Sequence, residues 1–195
     1  MFDAALKKYA TLNKLSHEGG IVLMGGSKDL KIPLCELKES FKIESTLYNR
    51  SFEELSVMDA EELFEKCIAP LNPQTLILHI GEADTTLFST NQSEFIAKYA
   101  HLLSAIKAHD KICHIAVVSL LNPKQDAVIF EMNKHLKYLS DSERCDFVDL
   151  STSKNWNPKA SMEISSFIYN LGFVRPLTAK RPVNNLVRAL YITEA

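Results

Sequence analysis

The sequence lacks the features that mark a membrane-spanning, disulfide-rich or zinc-binding protein. None of its apolar runs approaches the roughly 18 residues that a membrane span needs. The first residues, MFDAALKKYATLNKL, contain no unbroken apolar stretch, so we expect no secretory signal there. There are four cysteines, and no two have the C-x-x-C spacing of a zinc or redox site. We expect reduced thiols in a cytoplasmic protein.

An excess of basic charge is also missing. The chain has 22 Lys and Arg against 24 Asp and Glu, a formal net charge of -2, and no local Lys/Arg cluster. This balance argues against a nucleic-acid partner, which usually needs a basic face. Apolar residues make up 46% and charged residues 24% of the 195 residues. Such a composition and length are typical of one globular domain with a substantial core.

Apolar periodicity predicts helices and strands in alternation. Strands are expected at 21–24, 41–48, 75–80, 112–121 and 145–150, with the second strand at a sheet edge. Helices are expected at 3–15, 92–109, 123–139 and 158–171, after Pro33 through LCELKES, and in VNNLVRALYI near the end. A further helix is expected to begin at Asp59 as its N-cap, with Glu62 completing a capping box, and to end before Pro70.

This alternation predicts an α/β fold, a flavodoxin-like three-layer α/β/α sandwich with a central parallel sheet of about five strands. No internal repeat, low-complexity segment or linker divides the chain. We therefore expect a single domain over 1–195, with an N-terminal helix within 1–18 and a C-terminal extension over 182–195.

Loops at the carboxyl ends of the strands form the site in such sheets. The first of these loops carries Ser27, which follows the buried strand IVLMG and Gly26. The loop matches neither the P-loop nor the dinucleotide pattern, and the nucleophile pattern G-x-S-x-G fails at Asp29. Taken alone, Ser27 is either a nucleophile or a serine that caps a plain strand-to-helix turn.

Four sequence blocks over about 20–150, in this order and spacing, resemble the SGNH (GDSL-type) hydrolase family. They are Gly25-Gly26-Ser27 with Pro33-Leu34, then Tyr48-Asn49-Arg50-Ser51, then Gly81-Glu82-Ala83-Asp84, and finally IAVVSLLNP. The resemblance implies esterase or acylhydrolase ancestry and a nucleophilic role for Ser27. It places the binding site at Gly26, Asn49, Ser51, Gly81, Ala83 and Asp84.

The chain departs from the family pattern at its catalytic positions. Ala83 stands where the family has an asparagine that donates an N–H to the oxyanion, and such a donor typically contributes ~2.7–4 kcal/mol. The segment RSFEELS contains no oxyanion glycine, and Gly26 replaces an acidic residue. No histidine follows His135, so the family's Asp-x-x-His is missing. His79 and His114 fall within predicted strands, where we expect satisfied core groups.

Three functional hypotheses remain. The first is an SGNH hydrolase-like domain that has little or no serine esterase activity and acts as a binding or interaction protein. The second is an active ester hydrolase that uses Ser27 with an unrecognised base. The third is a flavodoxin-like small-anion binder. We expect a small-molecule ligand or ester substrate, no cofactor, no metal, no nucleic acid and no membrane. Homo-oligomerisation is left open.

Overall fold

The centre of the molecule is a five-stranded parallel sheet. The computed structural model describes residues 2–40, 43–122 and 125–149. The strands are β1 (Ile21–Gly25), β2 (Leu47–Asn49), β3 (Thr75–His79), β4 (His114–Val118) and β5 (Asp146–Val148). They pair in the order β2-β1-β3-β4-β5, and every neighbouring pair is parallel. The predicted α/β sheet of about five parallel strands is confirmed.

In the described ranges, six α-helices connect or flank the strands. They are α1 (Asp3–Asn13), α2 (Leu34–Ser40), α3 (Val57–Cys67), α4 (Thr85–Thr90), α5 (Gln92–His109) and α6 (Ala127–Ser142). The sequence did not predict α4, because six residues are too few to establish a periodic pattern. The helices predicted at 158–171 and in VNNLVRALYI lie outside the described residues. Within the described ranges, no helix is long and apolar enough to span a membrane.

The sheet is buried on both faces, which accounts for the unbroken apolar runs of β1 and β3. On one face, Val22 and Met24 of β1 join the larger core, to which α1, α3, α4, α5 and α6 contribute. On the other face, Ile21 and Leu23 join a smaller core with Ile32 and Leu34. Residues of a single strand therefore alternate between two cores, and the sheet has packed layers on both sides.

The start of α3 differs from the prediction. Asp59 was expected as the N-cap, but Ser56 holds that position and its Oγ accepts a hydrogen bond from the Met58 N–H at 3.1 Å. Asp84 adds a second acceptor, since its Oδ2 lies 3.0 Å from the Val57 nitrogen. The N-terminus of α3 is thus fixed partly by a carboxylate that comes from the end of β3, 28 residues away from Ser56.

Strand β2 is shorter than the predicted 41–48, although it lies at the sheet edge as expected. Backbone hydrogen bonds to β1 continue beyond it, from the Arg50 N–H to the Leu23 oxygen at 2.8 Å and from the Phe52 N–H to the Gly25 oxygen at 2.9 Å. This extension carries the chain after β2 along the end of β1. It places residues 50–54 next to Ser27.

The strand order reverses beside β1. From β1 the chain moves outward to β2, and it then returns to the other side of β1 to form β3. In open parallel sheets such a switch point leaves a crevice at the carboxyl ends of the strands, because the connections on its two sides diverge to opposite faces. The candidate site lies at this switch point.

Candidate active site

A cavity of about 530 Å³ opens at the carboxyl ends of β1 and β3. Its wall comes from three loops that are distant in sequence but meet at the switch point. The lining residues are Gly26, Ser27, Glu54, Leu55, Ser56, His79, Gly81, Glu82 and Ala83. The structure therefore brings together four of the residues that the sequence assigned to the site, and it adds residues that the sequence did not assign.

Ser27 lies on this wall in direct contact with the backbone after β2. Its Oγ accepts a hydrogen bond from the Glu54 N–H at 2.9 Å. Glu54 has a φ of +50°, a left-handed conformation that is uncommon for a residue with a Cβ. The glycine expected in this segment is absent. Even so, the backbone at Glu54 adopts a conformation typical of glycine, and its N–H donates a hydrogen bond to Ser27.

Asp29 organises the turn that presents Ser27. Its side chain is buried, with 1% of the residue exposed, and its Oδ2 accepts a hydrogen bond from the Gly26 N–H at 2.7 Å. The Asn49 side chain donates to the Asp29 backbone oxygen at 2.7 Å. A methyl group on Gly25 would overlap the Asp29 carboxylate, whereas one on Gly26 would meet no atom within 4 Å. Gly25 therefore makes room for the buried carboxylate.

His79 is the functional candidate that the sequence reasoning missed. Its Nδ1 lies 3.0 Å from both carboxylate oxygens of Asp29. The residue is 2% exposed, which confirms the expected burial, but it also lines the cavity. The signal in the sequence is its position as the last residue of β3, at the carboxyl end where sites form. A carboxylate can only accept, so Nδ1 carries a proton, and in the tautomer that this contact favours Nε2 is the acceptor nitrogen.

Three of the predicted site residues lie behind the cavity wall rather than on it. The Asn49 Oδ1 accepts a hydrogen bond from the Ser51 N–H at 3.0 Å, and the Ser51 Oγ accepts one from the Gly25 N–H at 3.1 Å. Asp84 is buried beneath the wall and holds Ser56 and the start of α3. These side chains fix the backbone that surrounds Ser27, so their role is in positioning.

Burial raises the pKa of the Asp84 carboxyl above its ordinary value, and hydrogen bonds from Ser56 and the Val57 N–H oppose that rise. Two other acidic residues, Glu54 and Glu82, belong to the cavity lining, and the described lining residues include no lysine or arginine. Lys28 reaches across from the Ser27 loop, and its Nζ lies 2.6 Å from the Glu82 Oε1. The charged side chains among the described lining residues are therefore acidic.

No group of His, Cys, Asp and Glu side chains in the described part of the chain is arranged to hold a metal ion. Ala83 lines the cavity next to Gly81, which has a φ of +131°. The Ala83 methyl group cannot donate a hydrogen bond. Among the described residues, the oxyanion donors available at this wall are therefore backbone N–H groups.

No family model matches the sequence, and no curated protein matches it. Several solved structures do resemble the fold. A Streptococcus pneumonia protein described as a platelet activating factor is 21% identical, with a TM-score of 0.64 over 76% of this chain and 74% of its own. A Bacteroides fragilis protein described as an acylhydrolase is 19% identical, with a TM-score of 0.62 over 98% of both chains. A GDSL-like lipase from Bacteroides thetaiotaomicron is 16% identical, with a TM-score of 0.58 over 74% and 77%.

Proposed function

We propose that this chain, which has the fold of the SGNH (GDSL-type) hydrolases, binds a small uncharged ester or acyl compound around Ser27 and hydrolyses it slowly or not at all. The observation that carries the proposal is Ala83 on the cavity wall, where a side-chain amide would stabilise the oxyanion. The loss of such a donor typically lowers kcat by about 10²–10³. A cavity that binds esters but turns them over poorly serves as a binding or interaction site.

The size and polarity of the cavity support this class of ligand. Its volume of about 530 Å³ is within the usual range of small-molecule sites. Glu54 and Glu82 in the lining would repel an anionic ligand, and the nearby cation, Lys28, is already paired with Glu82. An ester or amide presents a neutral carbonyl and avoids that repulsion.

The same contacts disfavour a small-anion binder. In such a protein, the Gly26 N–H and its neighbours after β1 would hold the anion. Here the Asp29 carboxylate already accepts the Gly26 N–H. The turn then continues as a three-residue 3₁₀ helix, Asp29–Lys31, before the short α2 begins at Leu34. An internal carboxylate thus occupies the place of an external anion.

The proposal can be tested by measuring binding and turnover separately. Short-chain acyl esters and amides would be screened by ligand-observed NMR, and p-nitrophenyl acetate turnover would be followed by absorbance. We expect binding to the wild-type protein and to Ser27→Ala, loss of binding in Ala83→Trp, which fills the cavity, and turnover near background. Ile112→Trp, which adds the same ring at an 88% exposed position before β4, should bind like the wild type. Absence of binding across the panel, or a kcat of about 1 s⁻¹ or more, would contradict the proposal.

A further inference from the structure

We propose that the Asp29–His79 pair is the proton acceptor of Ser27, in place of a histidine downstream of the last strand. The inference rests on the proposed function, because it concerns the same cavity and the same serine. It adds that the serine retains its own base and can therefore be acylated, even though turnover is slow.

The sheet register brings the three residues together. Gly25 at the end of β1 pairs with His79 at the end of β3, and Ser27 is two residues beyond Gly25. The Asp29 carboxylate contacts both sides of this junction, since it accepts the Gly26 N–H at 2.7 Å and lies 3.0 Å from the His79 Nδ1. One buried carboxylate thus contacts His79 and the residue before Ser27, and both Ser27 and His79 line one cavity.

The chemistry of the pair fits this role. Asp29 favours the tautomer in which the Nδ1 of His79 carries the proton and the lone pair is on Nε2. The carboxylate also stabilises the imidazolium that forms when Nε2 takes up a second proton. Burial of both side chains, each 1% exposed, strengthens this electrostatic support because water screens it little.

The proposed step is acyl transfer to Ser27. The Ser27 Oγ forms a bond to the ester carbonyl carbon while its proton passes to the His79 Nε2. The tetrahedral intermediate collapses when the bond between the carbonyl carbon and the alcohol oxygen breaks, and His79 returns the proton to that oxygen. The products are a free alcohol and an acyl-Ser27. Water then attacks the acyl group by the same proton transfers, which releases the acid and restores Ser27.

All six histidines of the sequence lie in the part of the chain that the structure describes, and His79 is the one among them that lines this cavity. His114 also pairs with an aspartate, as its Nε2 lies 3.1 Å from the Asp146 Oδ2. That second pair lies at the amino ends of β4 and β5, whereas Ser27 follows the carboxyl end of β1. It provides a matched control for the loss of a histidine from a histidine–aspartate pair.

The test measures the rate at which a fluorophosphonate labels Ser27, by mass spectrometry of the intact protein. We expect labelling of the wild type, none of Ser27→Ala, and labelling of His79→Gln slowed at least ~10²-fold, the usual contribution of a general base. Glutamine can still donate to Asp29 but cannot take up the proton. His114→Gln should label within about twofold of the wild type. Added imidazole should restore labelling of His79→Ala but not of Ser27→Ala/His79→Ala, a rescue that a purely structural role would not produce.

A second measurement on the wild-type protein covers the case in which the His79 variants fail to fold. With ¹⁵N in the histidine rings, a phenylboronic acid that forms an adduct with Ser27 should shift the Nε2 resonance of one buried histidine and leave that of His114 unchanged. Labelling of His79→Gln at the wild-type rate, or an adduct that shifts no histidine resonance, would overturn this inference and leave the proposed binding function standing. A wild-type protein that binds esters but never labels at Ser27 would also overturn it. Absence of ester binding would instead remove the proposed function.

Discussion

Glu54 lies in a left-handed backbone conformation although it carries a full side chain. For a residue with a Cβ this conformation costs about 1–2 kcal/mol relative to the right-handed one. Its N–H donates to the Ser27 Oγ, and the next residues, Leu55 and Ser56, continue the cavity wall. The strained residue thus lies beside Ser27, in the wall of the candidate site, where strain in proteins is often retained. A missing glycine in this sequence does not imply a missing backbone donor.

Restoring an amide at position 83 should increase the reactivity of Ser27. In Ala83→Asn the new side chain can donate an N–H to the oxyanion, and we expect fluorophosphonate labelling and p-nitrophenyl acetate turnover to rise by up to ~10²–10³-fold. Ala83→Leu adds similar bulk without a donor and should produce no gain. Equal rates in the two variants would show that the missing donor does not limit the reaction.

Gly25 and Gly26 should respond in opposite ways to alanine. Gly25→Ala pushes a methyl group into the buried Asp29 carboxylate and disturbs its bonds to Gly26 and His79, so we expect unfolding to become easier by about 1–3 kcal/mol. Gly26→Ala projects into open space and should change stability by less than about 0.5 kcal/mol. Urea denaturation followed by circular dichroism measures both, and a larger loss for Gly26→Ala would contradict this account of the turn.

At the scale of elements, α3 depends on a side chain from the other side of the switch point. Ser56 caps the helix, and Asp84, from the 3₁₀ turn Glu82–Asp84 after β3, accepts the Val57 N–H at 3.0 Å. A carboxylate at a helix N-terminus is favourable, because the first N–H groups there have no partner within the helix. The cap therefore couples α3 to the loop that carries Ala83, and both border the cavity.

The buried Asp84 should give stability a specific pH dependence. Burial raises the pKa of this carboxyl in the folded state above its ordinary value of 3.8. As pH falls, the folded state then binds the proton before the unfolded state does, so protonation of Asp84 adds stability. The gain begins as pH falls through the raised pKa and is complete below about 4. Above the raised pKa, the gain is absent.

The difference in the free energy of unfolding between the wild type and Asp84→Asn isolates this effect from the other carboxyl groups. We expect the difference to move in favour of the wild type between pH ~7 and pH ~4 in urea denaturation. Asp141→Asn, which changes an exposed aspartate of α6, is the matched control. A difference that stays constant or moves in favour of Asp84→Asn on acidification would contradict the raised pKa.

At the scale of the whole molecule, one cavity collects acidic residues at one end of the sheet. Glu54 and Glu82 line it, and the whole chain has a formal net charge of -2. Binding should therefore be weaker for an ester that carries a carboxylate than for a neutral ester of the same size. The difference should shrink as salt rises, because salt screens exposed charges over about 10 Å at 0.1 M. Calorimetric titration at low and high salt measures it, and equal affinity at low salt would contradict the acidic cavity.

Much of the fold could be predicted from local patterns. The buried runs at 21–24 and 75–80 became β1 and β3, and the periodic segment 92–109 became α5 without change. The predicted ends of helices and strands were wrong where a residue distant in sequence determines them. Asp59 suited an N-cap by sequence, but Ser56 took the position because Asp84 packs against it in three dimensions. Strand β2 ended up short, since pairing with β1 rather than alternation sets its length.

The sequence by itself determined the parallel sheet, the place of Ser27 after its first strand, and the lack of a side-chain donor at Ala83, because these follow from apolar periodicity and residue type alone. The tertiary structure decided what surrounds the serine. The register of β1 on β3 sets His79 beside Gly25, and the turn after β1 folds the Asp29 carboxylate back onto His79. The Glu54 N–H reaches Ser27 from 27 residues away. Such contacts depend on the strand order and on the left-handed φ of Glu54, and the local sequence encodes neither.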